Sequence, residues 1–510
     1  MKSRARYAGL VLAAALAALG GWLLVLRGQG RGIPLITDEG EYAVAARAWS
    51  SGGLPYRDAF SQKPPMTFLF YRAAAAVSSS PESPRLAGGF AALLTLIVLF
   101  LCAPSSWSAA GRLAGPAAFA ALSSLPVGDY GFPANTETFL NLFASLSALA
   151  VLRGAPLLAG LAAGAALTTK QTAAWTVLGF GALASTSRRS ALRYALGAAA
   201  VPAAWALYFY ARGAFGDYWS QAWAGNARYA AVLLSTGALE GQLRWFASAL
   251  LPKLVLFSLP ALGLAGWSLR GQQAGRQNPI ETLAVVWFGA AVAGALTGLF
   301  LFPHYFVQLA PALALGAACG VEKITNFKGR TAFTIVMLLW PALLAPGLFF
   351  SADAHRRELA LLYPNPLFET KLLGEELARR AAPGDRLHVF GSEGALFIYS
   401  GLTPATRHTL AYALTLFPKD ETGWREELAT LEGAPPRFVV FSTQPLSTMT
   451  ASRLGREYRG AMIAFLDQGY RYDGAVVVRA SAAPPLYESA ARGERPAFDS
   501  RDRLLLFVRR

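Results

Sequence analysis

The feature that most constrains this chain is a succession of apolar runs. A helix needs about 20 mostly apolar residues to cross the hydrocarbon of a bilayer. Such runs occur at residues 7–26, 85–103, 113–127, 137–152, 155–168, 171–184, 195–211, 246–269, 279–301, 304–320 and 332–350. Several are short, so their ends are fixed only to within a few residues. Of the 510 residues, 54% are hydrophobic and 15% charged, where a soluble chain carries roughly a quarter charged. The expectation is a polytopic α-helical membrane protein with about eleven transmembrane helices. Lys2, Arg4 and Arg6 precede the first run. That run is too long for a signal-peptide core and no small-residue cleavage site follows, so it reads as an uncleaved span with a cytoplasmic N-terminus.

Basic residues test this order, because cytoplasmic loops collect Lys and Arg. Alternation from an inside N-terminus puts Arg112, then Arg153, then Arg188, Arg189 and Arg193, then Arg270 and Arg276, then Lys323, Lys328 and Arg330 on the inner side. Each inner loop is basic. The outer side then receives residues 36–65, the loop 129–137, Lys170, the loop 212–245, His304 and the C-terminus. Residues 64–77 are apolar but short, and a span there would invert every later loop. They read as an interfacial helix on the outer leaflet. The net charge of +16 is scattered through these loops, which argues against a nucleic-acid surface. Cys102 and Cys319 both sit in apolar runs, and no CxxC or His/Cys cluster suggests zinc.

Beyond residue 350 the pattern changes. Charges return, and short β-rich runs appear at 386–391, 437–442, 475–480 and 503–508. Helical patterns at 368–382 and 423–433 lie between them. Alternation of this kind predicts an α/β domain with a largely parallel sheet. There is no GxGxxG or Walker loop and no repeat of solenoid period. The expected domains are residues 1–350, a membrane domain whose first outer loop is 27–84, and residues 351–510, an extracytoplasmic α/β domain.

The outer loops hold the chemistry, and each residue has two readings. Asp38, Glu39 and Glu41 follow the first run in TDEGEYAVAARAW. Thr37 can be an N-cap with acids in the first turn, and Glu41 can complete a capping box. Asp38 and Glu39 can instead supply a general base near the membrane surface, where an unpaired carboxylate is costly. Lys63 precedes Pro64 and Pro65, which break any helix before them and open the next one. Its ammonium is either a snorkelling anchor or a phosphate ligand. In GDYGFPANTETF, Asp129 is a turn residue or a site residue, and Glu137 tops a span where it needs a partner. Lys170 lies in a tight connection between two short runs, which suggests that both helices dip toward a cavity. His304 and Tyr305 open another run, as interfacial residues or as ligands.

These residues resemble a known family. Asp38, Glu39, Tyr42 and Ala43, followed about two dozen residues later by Phe60, Lys63, Pro64 and Pro65, are similar to the D-E-x-x-Y-A and F-x-K-P-P motifs of GT-C glycosyltransferases. The branch is that of the protein O-mannosyltransferases and the aminoarabinose transferases of lipid A. Asn135 and Glu137, then Leu167, Thr168 and Lys170, then Pro303 to Phe306 with Leu309 and Pro311, extend the resemblance over residues 8–350. Glu41 departs from it, standing where the family position is variable.

The resemblance implies transfer of a sugar from a polyprenyl-phosphate donor to a hydroxyl or amine of a lipid, glycan or protein acceptor, with inversion, in a bacterial-type inner or plasma membrane. It gives Asp38 the role of base, with Glu39 or Glu137 assisting. Lys63, Lys170, His304 and Tyr305 go to the donor phosphate, and Asp129, Asn135 and Tyr42 to acceptor or support. No cofactor or metal is expected. Some members of the wider class use a divalent ion, but this branch resembles the metal-independent ones. A transporter or flippase of a lipid-linked sugar is the competing reading. It predicts charges within the spans and broken helices near the midplane, whereas here the acids cluster on one face.

Overall fold

The structure is a computed structural model that describes residues 2–226, 234, 237–270, 278–416, 420–478 and 485–510. Every apolar run of the sequence coincides with helix. Among the described residues, seven helical segments are long and apolar enough to cross a membrane: Gly9–Gly30, Pro84–Cys102, Arg188–Ala211, Leu239–Ser268, Pro279–Leu296, Pro303–Lys323 and Phe327–Leu344. The other four runs form the helices Ala109–Leu122, Thr136–Leu152, Pro156–Leu167 and Ala174–Ala184, of 14, 17, 12 and 11 residues. The expected number of eleven thus has seven full-length helices behind it. The protein is a polytopic helical membrane protein with a small C-terminal sheet. Residue Arg276 of the basic loop, residues 479–480 of the third β-rich run and parts of the loop 212–245 lie outside the described residues.

The chain divides into two compact units. The first comprises Met1–Arg31, Arg85–Ala206 and Glu240–Leu362. Its helices approach closely because their contact faces are small. Gly160 and Gly164 of Pro156–Leu167 lie against the Tyr194 and Ala198 carbonyls of Arg188–Ala211, where an added Cβ would overlap backbone. Within a bilayer this shape fit, rather than water exclusion, drives helix association. The helix Ala310–Lys323 is buried along most of its length and packs on Ala109–Leu122 and Leu251–Ser268.

The second unit comprises Gly32–Pro84, Leu207–Leu239 and Tyr363–Arg510. Among the described residues its sheet has six strands: β1 (Arg386–Phe390), β2 (Thr403–Pro404), β3 (Phe438–Ser442), β4 (Tyr470–Val477), β5 (Tyr487–Ser489) and β6 (Arg503–Arg509), in the order β2-β1-β3-β6-β4-β5. All four β-rich runs of the sequence are strands. The largely parallel sheet expected from the alternation is not found. β1 pairs in parallel with β2 and β3, but β6 runs antiparallel between β3 and β4, and β5 is antiparallel to β4. A parallel neighbour needs a long crossover, usually a helix, and among the described residues no helix lies between β4 and β6. The last strand therefore returns against its neighbours. The helix Arg453–Gly469 covers the sheet, burying Tyr458, Met462 and Leu466 at helical spacing against Phe390, Val439 and Phe441.

The acid-bearing helix Thr37–Ser50 belongs to this second unit. It packs on the helix Met66–Val77, which the two prolines open, and on the short helix Ala395–Ser400 that follows β1. Gly40 makes the second contact possible. An added Cβ would overlap the amide nitrogen of Ala395.

Candidate functional site

The expected site residues fall into two clusters, one in each unit. In the second unit, Ile36 rather than Thr37 is the N-cap of the acid helix. The box is closed by Glu39, not Glu41: the Ile36 N–H donates to Glu39 Oε2 at 3.1 Å. The spacing of three residues from N-cap to acceptor fits Ile36 and Glu39 once the helix starts one residue earlier. Glu39 is fully buried in this role.

Glu41 is also buried, but in a network of hydroxyls. Ser61 Oγ donates to Glu41 Oε1 at 2.5 Å and Tyr412 Oη donates to Glu41 Oε2 at 2.9 Å. Burial pushes the Glu41 carboxyl above the usual range and nearby Asp38 adds to this, while Lys63 and the two hydroxyls oppose it. Asp38 is the part-exposed member of the three acids. Its Oδ2 accepts from Tyr42 Oη at 3.0 Å, one helical turn further on.

Lys63 is held through its backbone. Its N–H donates to Ser61 Oγ at 3.2 Å, and its carbonyl accepts from Tyr56 Oη at 2.8 Å. Pro64 follows and restricts it further. The ammonium lies 6.0 Å from the centroid of the Tyr42 ring. One tyrosine thus meets the carboxylate of Asp38 with its hydroxyl and the ammonium of Lys63 with its ring. Gln221 supports the turn, donating to the Tyr56 carbonyl at 2.7 Å and accepting from Ser61 N–H at 3.3 Å.

In the first unit the structure pairs the remaining residues. His304 Nδ1 lies 2.5 Å from Asp129 Oδ2, and both side chains are buried. Lys170 forms an ion pair with Glu137, also buried. The Lys170 ammonium stands 4.0 Å from the centroid of the Tyr305 ring, and Tyr305 packs edge-on to His304. In the Lys170–Glu137 pair each charge needs the other, since a lone buried charge costs several kcal/mol, on the order of 3–5. The turn Pro303–Leu309 is fixed by Tyr130 Oη on the Phe306 carbonyl (3.3 Å) and Asn141 Nδ2 on the Val307 carbonyl (2.9 Å). Asn135 precedes the helix Thr136–Leu152 without capping it. Its buried amide meets no hydrogen-bond partner among the described residues. Among the described residues no group of three or more His, Cys, Asp or Glu is arranged to hold a metal ion.

No family model and no curated protein matches the chain. Solved structures do. ArnT from Cupriavidus metallidurans bound to undecaprenyl phosphate aligns with a TM-score of 0.56 at 15% identity, over 98% of this chain and 97% of that one. Its apo form aligns at 0.55 and 14%, over 99% and 98%. The archaeal oligosaccharyltransferase AglB from Archaeoglobus fulgidus, in complex with an inhibitory peptide and a dolichol-phosphate, aligns at 0.52 and 10%, over 99% of this chain and 77% of that one. The chain shares the fold of ArnT and of AglB. At these identities the likeness is one of fold, and it agrees with the family that the motifs resemble.

Within this fold, several residues that hold the acids or the Lys63 turn carried no warning in the sequence. Ser61 is one of the two residues between Phe60 and Lys63, where the resemblance fixes no residue type. Tyr56 stands in a turn and Gln221 in the short helical stretch Ser220–Ala224, neither with a pattern that marks it. Tyr412 is 371 positions from Glu41, so nothing local announces it.

Proposed function

We propose that the protein is an inverting GT-C glycosyltransferase that uses a polyprenyl-phosphate sugar, with Asp38 as base and Lys63 as ligand of the departing phosphate. The observation that carries this reading is the arrangement around Tyr42, which joins the Asp38 carboxylate and the Lys63 ammonium on one short helix and turn. Of the three acids, Glu39 is occupied by the helix cap and Glu41 by two hydroxyls. Asp38 is the one residue of the three that is not fully buried.

In the reaction, Asp38 takes the proton of the acceptor hydroxyl or amine as that atom bonds to the anomeric carbon. The bond from this carbon to the phosphate oxygen breaks on the opposite face, and the electron pair leaves with the lipid phosphate. Lys63 stabilises the charge that develops there, where a low dielectric strengthens it. Lys170, His304 and Tyr305 take part in donor binding on the same reading, and Glu137, Asp129 and Asn135 orient them or the acceptor. The chain lies in a bacterial-type plasma membrane with the acids on the outer face.

The test is sugar transfer in membranes supplied with a panel of labelled polyprenyl-phosphate sugars and candidate acceptors. Asp38→Asn is expected to lower the rate by roughly 10²–10⁴-fold, the usual worth of a general base, and Lys63→Ala by about 10²–10³-fold. An inserted, folded Asp38→Asn that transfers at the wild-type rate would remove Asp38 from the role.

A further inference from the structure

The C-terminal tail does more than lie beside the acids; within the second unit it is bonded to them. Leu35 N–H donates to Tyr399 Oη at 2.8 Å, and Arg47 donates to the Phe397 and Leu402 carbonyls at 2.7 Å each. Phe60 N–H donates to the Arg407 carbonyl at 2.9 Å. These contacts fasten the acid helix and the loop that follows it. One further contact reaches a carboxylate: Tyr412 Oη on Glu41 Oε2.

From Glu41 a chain of bonds leads to Lys63. The other oxygen of Glu41 accepts from Ser61 Oγ, and the same Oγ accepts from the Lys63 N–H. A hydroxyl that donates to a carboxylate has its oxygen lone pairs turned toward other donors, so Glu41 sets the orientation that receives the Lys63 amide. Removal of the Tyr412 hydroxyl leaves the buried Glu41 with one hydroxyl fewer, and Ser61 must compensate. The ring of Tyr412 also packs edge-on to Phe60 of the same motif, at 5.9 Å between centroids.

We propose that Tyr412 is a positioning residue for Lys63, acting through Glu41 and Ser61, and that through it the tail tunes the grip on the lipid phosphate. This rests on the reading of Lys63 as the phosphate ligand. It also gives the third acid, the departure from the family pattern, a purpose distinct from that of base.

The experiment uses the full chain in nanodiscs and undecaprenyl phosphate as the probe, with binding measured directly and as product inhibition of transfer. Tyr412→Phe keeps the ring against Phe60 and removes only the hydroxyl. It is expected to weaken undecaprenyl phosphate binding roughly tenfold, the scale of one hydrogen bond to a charged group. Ser61→Ala is expected to do the same, and the double variant to be no weaker than either alone.

A purely structural loss would not move the pH profile, so that is the second readout. Glu41 faces Asp38, Lys63, Tyr56, Ser61 and Tyr412, and Tyr412 is one of the groups holding its carboxyl down. In Tyr412→Phe the acid limb of lipid-phosphate binding is expected to shift toward neutral pH. Wild type that binds the probe, with Tyr412→Phe binding equally well and an unmoved acid limb, overturns the proposal and leaves the function intact. Additive losses in the double variant overturn it as well. A wild type that neither binds undecaprenyl phosphate nor transfers sugar overturns the functional reading itself, and this one with it.

Discussion

At the scale of single residues, burial decides which carboxyls act and which are held. Glu137 and Lys170 neutralise one another, and Asp129 meets His304 Nδ1, so neither acid is buried without a polar partner. Glu393, in the turn after β1, has no such cation among the described residues. Burial pushes its carboxyl from 4.5 up to about 7, while the hydroxyls of Ser447 and Ser442 hold it down. Between those two values the folded state keeps a proton that the unfolded state has lost. Stability therefore falls as pH rises through this window, and the full penalty is present above it. At about 1.4 kcal/mol per pH unit the penalty is on the order of 3 kcal/mol. Glu393→Gln is expected to unfold at higher temperature than the wild type at pH 8, with the difference shrinking toward pH 5. A difference that stays constant with pH would contradict this account.

At the scale of elements, the acid helix is placed by its glycine as much as by its cap. In most helices Gly→Ala stabilises by about 1 kcal/mol. Gly40→Ala is expected to do the reverse, by about 1–3 kcal/mol, because its Cβ would meet the backbone of Gly394 and Ala395, which cannot swing aside. Gly263 is the control: it lies within the helix Leu251–Ser268 and an added Cβ meets nothing within 4 Å. Gly263→Ala should be neutral or stabilising. Thermal unfolding of both variants checks the pair, and an unchanged midpoint for Gly40→Ala would show that the helix and turn can separate without cost. Four strands of the tail, β1, β3, β4 and β6, were legible one by one because a run such as FVVFS is β-branched, aromatic and bounded by turns, whereas β2 and β5, of two and three residues, were too short to show. Their directions were not legible. Direction depends on how the chain returns, and the antiparallel insertion of β6 between β3 and β4 follows from what lies between strands, not within them.

At the scale of the whole molecule, the linear order of the chain and its compact units differ. The first outer loop, Gly32–Pro84, belongs with Tyr363–Arg510 although about 280 residues intervene. A chain truncated after Leu362 would lose the partners of Leu35, Arg47, Phe60 and Glu41 at once. Its first loop is therefore expected to become cleavable by trypsin at Arg57, which the full chain resists for longer. Equal cleavage rates in limited proteolysis would mean that the loop holds its shape without the tail.

The sequence by itself determined that the chain is a bundle of membrane helices with an α/β tail, and which charged residues stand between the apolar runs. Those properties are written in neighbours a few positions apart: an unbroken apolar run, an alternation, a proline pair after a lysine. Only the tertiary structure decided that Glu39 closes the helix cap and that Glu41 turns to Ser61 and Tyr412. It likewise decided that Asp129 finds His304 and Glu137 finds Lys170. Each of these assignments depends on which backbone groups and side chains packing brings within about 3 Å of a carboxylate. Packing is a property of the whole fold, so no local stretch of sequence encodes it.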